Sequence, residues 1–323
     1  MREPGPPEVL YVGEREAPVA GERDVLIEVE AAGVSRADTL QRRGLYPPPA
    51  GASPELGLEV AGTVLATGSL VTNVRVGERV VALCNGGGYA EVVAVPAGQV
   101  LPLPPQWSFV EGATLPENAF TVYDNLLVRA RLRSGELVLI HGGTSGIGTT
   151  AIAFTLAAGA RPIVTAGTDV KCRAALDLGA EAAFNYRETD FVAEVRAYTS
   201  GRGVDVILDI VGGAYINRDL EVLATDGRIA CIATAAGHEA AVDLRYLLQR
   251  RATIMGSSLR PRSDDEKAAI ADGLLRHIWP LLPERDPVVP VIDSIYTFSD
   301  AAGAHARLEA SEHVGKIVLV PDP

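Results

Sequence analysis

The sequence is poor in cysteine and in lysine, and each shortage excludes something. Its three cysteines, Cys84, Cys172 and Cys231, are odd in number and far apart. They can build neither a disulfide framework nor a four-cysteine zinc site, and such usage suits a reducing compartment. No apolar run is long enough to span a bilayer; "AIAFTLAAGA", for example, is stopped by Arg161. The opening "MREPGPPEVLYVGE" lacks the apolar stretch of a secretory signal, so a cytoplasmic location is the expectation. Only three of the 29 basic residues are lysine (Lys171, Lys267 and Lys316), and 41 acidic residues bring the formal charge to −12. That balance argues against nucleic-acid and membrane-surface partners. In a chain that otherwise uses arginine, each lysine merits inspection.

What is present suits a globular protein that buries a good core: 323 residues, 47% hydrophobic and 22% charged, enough for two domains. Val25, Ile27 and Val29 alternate with polar positions, as in a half-buried strand. Glycine-punctuated short strands follow, with turn signals every eight to twelve residues, predicting a compact, mostly β region to about residue 100. After Pro116 the spacing becomes helical, with Asn118 a candidate N-cap. From residue 137 continuous apolar strands alternate with helices, the pattern of a parallel sheet covered on both faces. "DDEKAAIADGLLRHIWPLL" reads as a further helix. The tail reads as a helix and one strand returning to the first domain.

The alternation opens on "LIHGGTSGIGTTA", residues 139–151, a strand, a glycine turn and a helix start. Glycines let backbone amides approach a pyrophosphate, and the helix N-terminus adds partial positive charge. The spacing is Gly143-x-x-Gly146-x-Gly148, a moderately specific form of the dinucleotide-binding turn. Ser145 is placed either to donate to a phosphate or to cap the helix. In NAD-binding versions an acid ends the second strand and binds the ribose 2′-hydroxyl. Here Gly167 stands at that point, with Asp169 two residues later placed to cap the next helix. Lys171 and Arg173 lie on that helix's first turn, where a cation can meet a 2′-phosphate, so NADPH is favoured. Tyr186, after the third strand, is either a cover for the adenosine end or a partly buried strand-end tyrosine.

Two related chemistries lack their residues. Catalytic zinc needs three protein ligands, and Cys84 has no cysteine or histidine at ligand spacing; none of the five histidines pair on one helix face. No metal is expected. Short-chain dehydrogenases share a similar glycine turn but need Tyr-x-x-x-Lys, and none of the nine tyrosines has lysine four residues later.

"VSRADTLQRRGLYPPPAGAS", "LGLEVAGTV", "IHGGTSGIG", "TAGT", "FNY", "GSSLRPRS" and "HVGKIVL", in this order, resemble the zinc-independent quinone oxidoreductases. These are a branch of the medium-chain dehydrogenase/reductase superfamily that includes zeta-crystallin, and the resemblance covers essentially the whole chain. Where zinc-dependent members read Gly-His-Glu, this chain has Gly57-Leu58-Glu59. The resemblance implies an α/β protein of two domains. One is a mostly β, GroES-like catalytic domain (1–116 and 285–323). The other is a doubly wound parallel-sheet (Rossmann) NADPH-binding domain (117–284), with the site in the cleft and dimers formed edge to edge through the nucleotide-domain sheets. It implies Tyr46 near the nicotinamide and substrate carbonyl, Thr121 at the nicotinamide end, and Ser145, Gly146 and Ile147 on the pyrophosphate. Gly167, Lys171 and Tyr186 would surround the 2′-phosphate, and Ser257 and Ser258 would line the cofactor cleft.

One departure stands out: Val34-Ser35-Arg36-Ala37-Asp38 replaces the family's Val-Asn-Arg-Ala-Asp, which places substrate preference in question at Ser35. A quinone is electron-poor and needs no strong Lewis acid, so positioning supplies much of the rate. The developing oxyanion needs a hydrogen-bond donor, Tyr46 first and Ser35 second. Asp38 reads as a loop ion-pair partner of Arg36 or Arg42. The competing functions are reduction of α,β-unsaturated carbonyls and a non-catalytic NADPH-binding role; RNA binding fits the acidic chain poorly.

Overall fold

The computed structural model describes Met1 and residues 3–284 and 286–323. In chain order the first strands are β1 (Asp24–Val34), β2 (Glu59–Thr67), β3 (Arg79–Leu83), β4 (Val92–Pro96) and β5 (Val100–Pro102). Then come β6 (Leu137–His141), β7 (Arg161–Ala166), β8 (Ala182–Asn185), β9 (Val204–Asp209), β10 (Leu223–Cys231) and β11 (Thr253–Gly256). β12 (Ile292–Thr297) and β13 (Lys316–Val320) close the chain.

Two compact units result. The first comprises Met1–Phe120, the stretch from Leu259 to residue 284, and Pro290–Pro323; the second is Thr121–Ser258 with Asp286–Val289. In the first, β12-β13-β1-β2-β3-β5 form a sheet with β4 added on β1. The period-two pattern of β1 is realised: Val25, Ile27 and Val29 are essentially inaccessible, while Glu28 and Glu30 face water. The tail strand β13 pairs antiparallel with β1, Ala32 opposite Leu319 and Val34 opposite Ile317, so the C-terminus does return to the first sheet.

In the second unit six strands, all parallel, run in the order β11-β10-β9-β6-β7-β8. This is the 3-2-1-4-5-6 doubly wound order, which reverses between β6 and β9. The core is made by Leu139, Ile163, Ile207 and Ile229 of the sheet with Phe191, Val195 and Leu220 of the crossover helices. The continuous apolar strands of the sequence are therefore buried strands of a parallel sheet.

Several local expectations need correction. The helix Asp264–His277 forms as anticipated, but it belongs to the first unit, whereas residues 117–284 were expected to form the second domain. Its contacts and those of the turn that follows it explain this. Lys267 Nζ donates to Asn85 Oδ1 at 2.6 Å, the indole N–H of Trp279 donates to the Pro102 carbonyl at 2.8 Å, and Gly98 packs closely on Ala268. The amphipathic period of a helix reports that one face is buried, not against what. The boundary expected at residue 285 falls on Arg285, which lies outside the described residues.

Asn118 is not an N-cap. The helix already begins at Pro116, whose fixed φ suits a first turn, and Asn118 Nδ2 donates to the Thr114 carbonyl at 3.2 Å. That helix passes at Val122 into a π-helical segment, Tyr123–Arg129. Asp169 is not the cap of Asp169–Asp177 either: Thr168 is, its hydroxyl accepting from the Lys171 amide, while Asp169 accepts from Asn185 Nδ2 at 2.7 Å.

Candidate active site

The glycine turn follows β6, beside the point where the strand order reverses and where open α/β sheets bind ligands. Gly142 has φ +69°, a left-handed conformation open to glycine at little cost. A side chain on Gly143 would strike Val164 of β7 at 2.5 Å. One on Gly148 would lie 2.2 Å from the Gly142 carbonyl oxygen, a backbone atom that cannot swing aside. The turn is thus folded tightly enough to bring β6 and helix Gly146–Ala157 together at a bare backbone. Ser145 is the N-cap, accepting from the Gly148 amide at 3.0 Å and donating to the Gly142 carbonyl at 2.9 Å. Its hydroxyl is used within the turn. The amides of Gly146 and Ile147, at the first two helical positions, have no intrahelical acceptor, and both residues are partly exposed. The turn therefore presents a neutral, positively polarised cradle suited to a phosphate.

At the end of β7 a second gap appears. A Cβ on Gly167 would meet the Tyr186 hydroxyl at 2.8 Å and Arg187 Nε at 3.4 Å. Tyr186 is 42% exposed, and Lys171 sits on the first turn of the helix that Thr168 caps. No acid ends the strand. Arg187, next to Tyr186 in "FNYRE", is a cation not singled out from the sequence, although its adjacency to Tyr186 was the available signal.

Thr121, Ser257 and a residue missed in the sequence, Asn125, form one chain of hydrogen bonds. Asn125 Nδ2 donates to the Thr121 carbonyl at 2.9 Å, and Ser257 Oγ donates to Asn125 Oδ1 at 2.8 Å. Asn125 lies in the π-helical segment, a local widening that recurs at functional sites. Ser258 follows Ser257 at the last residue before the chain leaves the second unit.

The other named residues lie in the first unit. Ser35 is buried at the start of helix Arg36–Arg42, and its amide and hydroxyl both donate to Asp38 Oδ2, at 2.8 and 3.0 Å. Asp38 Oδ1 accepts from the Gly57 amide at 3.0 Å. The expected ion pair of Asp38 with Arg36 or Arg42 does not form. Arg42 turns to Glu309 at 2.7 Å and to His305 Nδ1 at 3.1 Å. Arginine has no acceptor, so Nδ1 must accept, leaving the Nε2 hydrogen for the Tyr89 hydroxyl at 3.2 Å. Burial and the neighbouring Arg42 push His305 down to about 3, so it stays neutral.

Tyr46 is partly exposed, with the Arg260 guanidinium carbon 5.5 Å from its ring centre. In the same unit Lys316 forms a buried ion pair with Glu59 Oε1, while Glu59 Oε2 accepts from the Glu117 amide at 2.9 Å. Burial pushes the Glu117 carboxyl up to about 7. The Cys84 thiol is pushed up by burial and by Glu59 and Asp38, and so is held protonated. Among the described residues no group of three or more His, Cys, Asp or Glu side chains could hold a metal ion, and no helix is long and apolar enough to cross a membrane.

Comparison with known proteins matches residues 21–105 to the alcohol dehydrogenase GroES-like domain and residues 146–272 to the family described as zinc-binding dehydrogenase. A quinone oxidoreductase of Lama guanicoe is 32% identical, the match covering 98% of this chain and 94% of that protein. The solved quinone oxidoreductase of Escherichia coli, complexed with NADPH, superposes with a TM-score of 0.85 at 32% identity, over 99% of this chain and 98% of the other. The solved CurK enoyl reductase superposes with a TM-score of 0.86 at 27% identity, over 100% and 98%.

Proposed function

Since the chain belongs to the quinone oxidoreductase family of the medium-chain dehydrogenase/reductases, we propose that it is an NADPH-dependent quinone reductase that works without a metal ion. The observation that carries the cofactor choice is the bare end of β7. Gly167 leaves room, Tyr186 and Arg187 border it, and Lys171 stands on the adjoining helix turn, where Asp169 is engaged by Asn185 Nδ2 at 2.7 Å, a setting for a 2′-phosphate with no acid at the strand end itself. Gly143 and Gly148 hold the turn in its tight shape, since a Cβ at either would strike Val164 or the Gly142 carbonyl.

NADPH when bound supplies a hydride; the chain's residues supply the rest. The Gly146 and Ile147 amides hold the pyrophosphate, with Ser145 keeping the turn in shape. Thr121, fixed through Asn125 and Ser257, serves the nicotinamide end, and Ser258 extends that wall. Tyr46 donates to the acceptor carbonyl as negative charge develops on its oxygen. Ser35 can donate there only by leaving Asp38, so its main work is to fix the start of its helix. The first unit is accordingly the catalytic domain and the second the nucleotide-binding domain.

The finer reading adds a homodimer. The outer edge of β11 carries no strand among the described residues, and Ile254, Leu244 and Leu248 beside it are exposed, which supports edge-to-edge pairing. Three free cysteines and the acidic charge fit a cytoplasmic protein acting on small molecules. The second reading, reduction of α,β-unsaturated carbonyls, is favoured by the CurK likeness and would use the same hydride donor. Steady-state oxidation of NADPH and NADH with 1,4-benzoquinone, beside an alkenal, tests both. Turnover of the quinone with NADPH in preference to NADH is expected. Turnover of the alkenal alone refutes the quinone assignment.

A further inference from the structure

Arg260, in "SSLRPRS", is only 7% exposed, yet among the described residues its Nε and Nη2 atoms meet no acceptor. Its remaining contacts are slight: Nη1 donates to the Tyr46 carbonyl at 3.4 Å, and the Tyr46 ring stands over the guanidinium. A guanidinium does not escape burial by losing its proton, and an uncompensated buried charge is strongly unfavourable. The nearby Lys267 adds to the positive field instead of cancelling it. Its Nζ is itself buried, bonded to Asn85 Oδ1 at 2.6 Å and to the Arg260 carbonyl at 3.1 Å. Asp38 attracts Arg260 but forms no ion pair with it, being held by Ser35 and Gly57. The same unit neutralises its other buried cations directly, Arg42 with Glu309 and Lys316 with Glu59. Arg260 stands out by the missing carboxylate, whereas Lys267 is linked to Asp264 through Asn85, whose Nδ2 donates to Asp264 Oδ1 at 3.3 Å. Orphaned polar groups of this kind mark a place where a ligand atom belongs.

We propose that Arg260, reinforced by Lys267, is a cationic subsite that binds an anionic oxygen substituent of the acceptor, so that quinones bearing a sulfonate, carboxylate or ionised hydroxyl are preferred over neutral ones. The inference rests on the reading of Tyr46 as the residue that faces substrate. Tyr46 is partly exposed and its ring packs on the guanidinium, so an acceptor held by Tyr46 is placed beside the Arg260 fork, whose Nε and Nη2 edge is unused. That edge is planar and matches the two oxygens of a carboxylate or sulfonate. Lys267 already donates to Asn85 and to the Arg260 carbonyl, and acts through its field.

The test compares 1,2-naphthoquinone-4-sulfonate with 1,2-naphthoquinone in wild type, Arg260→Met and Arg260→Lys, each checked for its melting temperature and NADPH affinity. In wild type, kcat/KM favours the sulfonate by roughly ten- to a hundredfold, the usual effect of a charge-assisted hydrogen bond. The preference vanishes in Arg260→Met, returns in part in Arg260→Lys, and weakens with added salt. Calorimetry with naphthalene-1-sulfonate, which accepts no hydride, gives a second readout: binding in wild type and none in Arg260→Met. Should Arg260→Met not fold, Arg260→Gln replaces it in both measurements. A folded variant that keeps the wild-type preference and binds the sulfonate overturns the subsite. Turnover of neither quinone by wild type overturns the reductase reading instead, and Arg260-dependent sulfonate binding would then still uphold the subsite.

Discussion

Replacing Gly167 with aspartate should reverse the cofactor preference without unfolding the protein. The new Cβ would lie 2.8 Å from the Tyr186 hydroxyl, 3.2 Å from its Cζ and 3.4 Å from Arg187 Nε. These are the far ends of side chains at the surface, so they move aside, and the cost in stability stays below about 1 kcal/mol. The carboxylate then stands where the 2′-phosphate is proposed to sit. At a separation of about 4 Å in a water-exposed site, each pair of unit charges repels by about 1 kcal/mol, and the phosphate carries about two charges. NADPH therefore loses about 2 kcal/mol, roughly thirtyfold in affinity. NADH, whose 2′-hydroxyl can donate to the new carboxylate, should bind more tightly than to wild type. Fluorescence titration of both cofactors, with kcat/KM on 1,4-benzoquinone at fixed ionic strength, measures the change. Gly167→Ala separates size from charge and should alter the NADPH-to-NADH ratio by less than about threefold, since it adds no charge. An unchanged ratio in Gly167→Asp, with the fold intact, would refute the placement of the 2′-phosphate at the end of β7.

Two further outcomes follow from the buried charges of the first unit. Lys316→Met leaves Glu59 inaccessible and unpaired, and should cost about 3–5 kcal/mol in denaturant unfolding, most of it recovered in Lys316→Met/Glu59→Leu; a wild-type midpoint for the single variant would show that Glu59 does not depend on its lysine. Glu117 is pushed up to about 7 from 4.5 by burial, so the folded state holds its proton more tightly than the unfolded chain. Its contribution is therefore fully present below about pH 4.5 and is lost as pH rises through about 7. Relative to Glu117→Gln, the wild-type denaturation midpoint should fall across that window, and parallel pH profiles would refute the assignment.

The sequence alone determined whatever depends on neighbours along the chain. Alternation in β1, continuous apolar strands from Leu137 and the glycine spacing before helix Gly146–Ala157 each follow from local geometry: period two, burial on both faces, and a turn too tight for side chains. Gly167 was legible as the small residue at the end of β7, where NAD-binding versions of the fold carry an acid. The near absence of lysine was also informative, since two of the three, Lys267 and Lys316, prove to be buried, with specific partners.

Tertiary structure alone decided who meets whom. Asp38 has two arginines within four residues but takes Ser35 and Gly57, because Arg42 is drawn to Glu309 and His305, more than 260 positions away. Asn118 and Asp169 have the chemistry of caps, yet the helices begin elsewhere, at Pro116 and at Thr168, as the preceding backbone dictates. Helix Asp264–His277 shows its amphipathic period in the sequence, but its docking on Asn85 and Gly98 was invisible, since periodicity names a face and not a partner. The unmatched charge of Arg260 belongs to the same class: whether a buried cation has a carboxylate is set by the whole fold, and no local pattern records it.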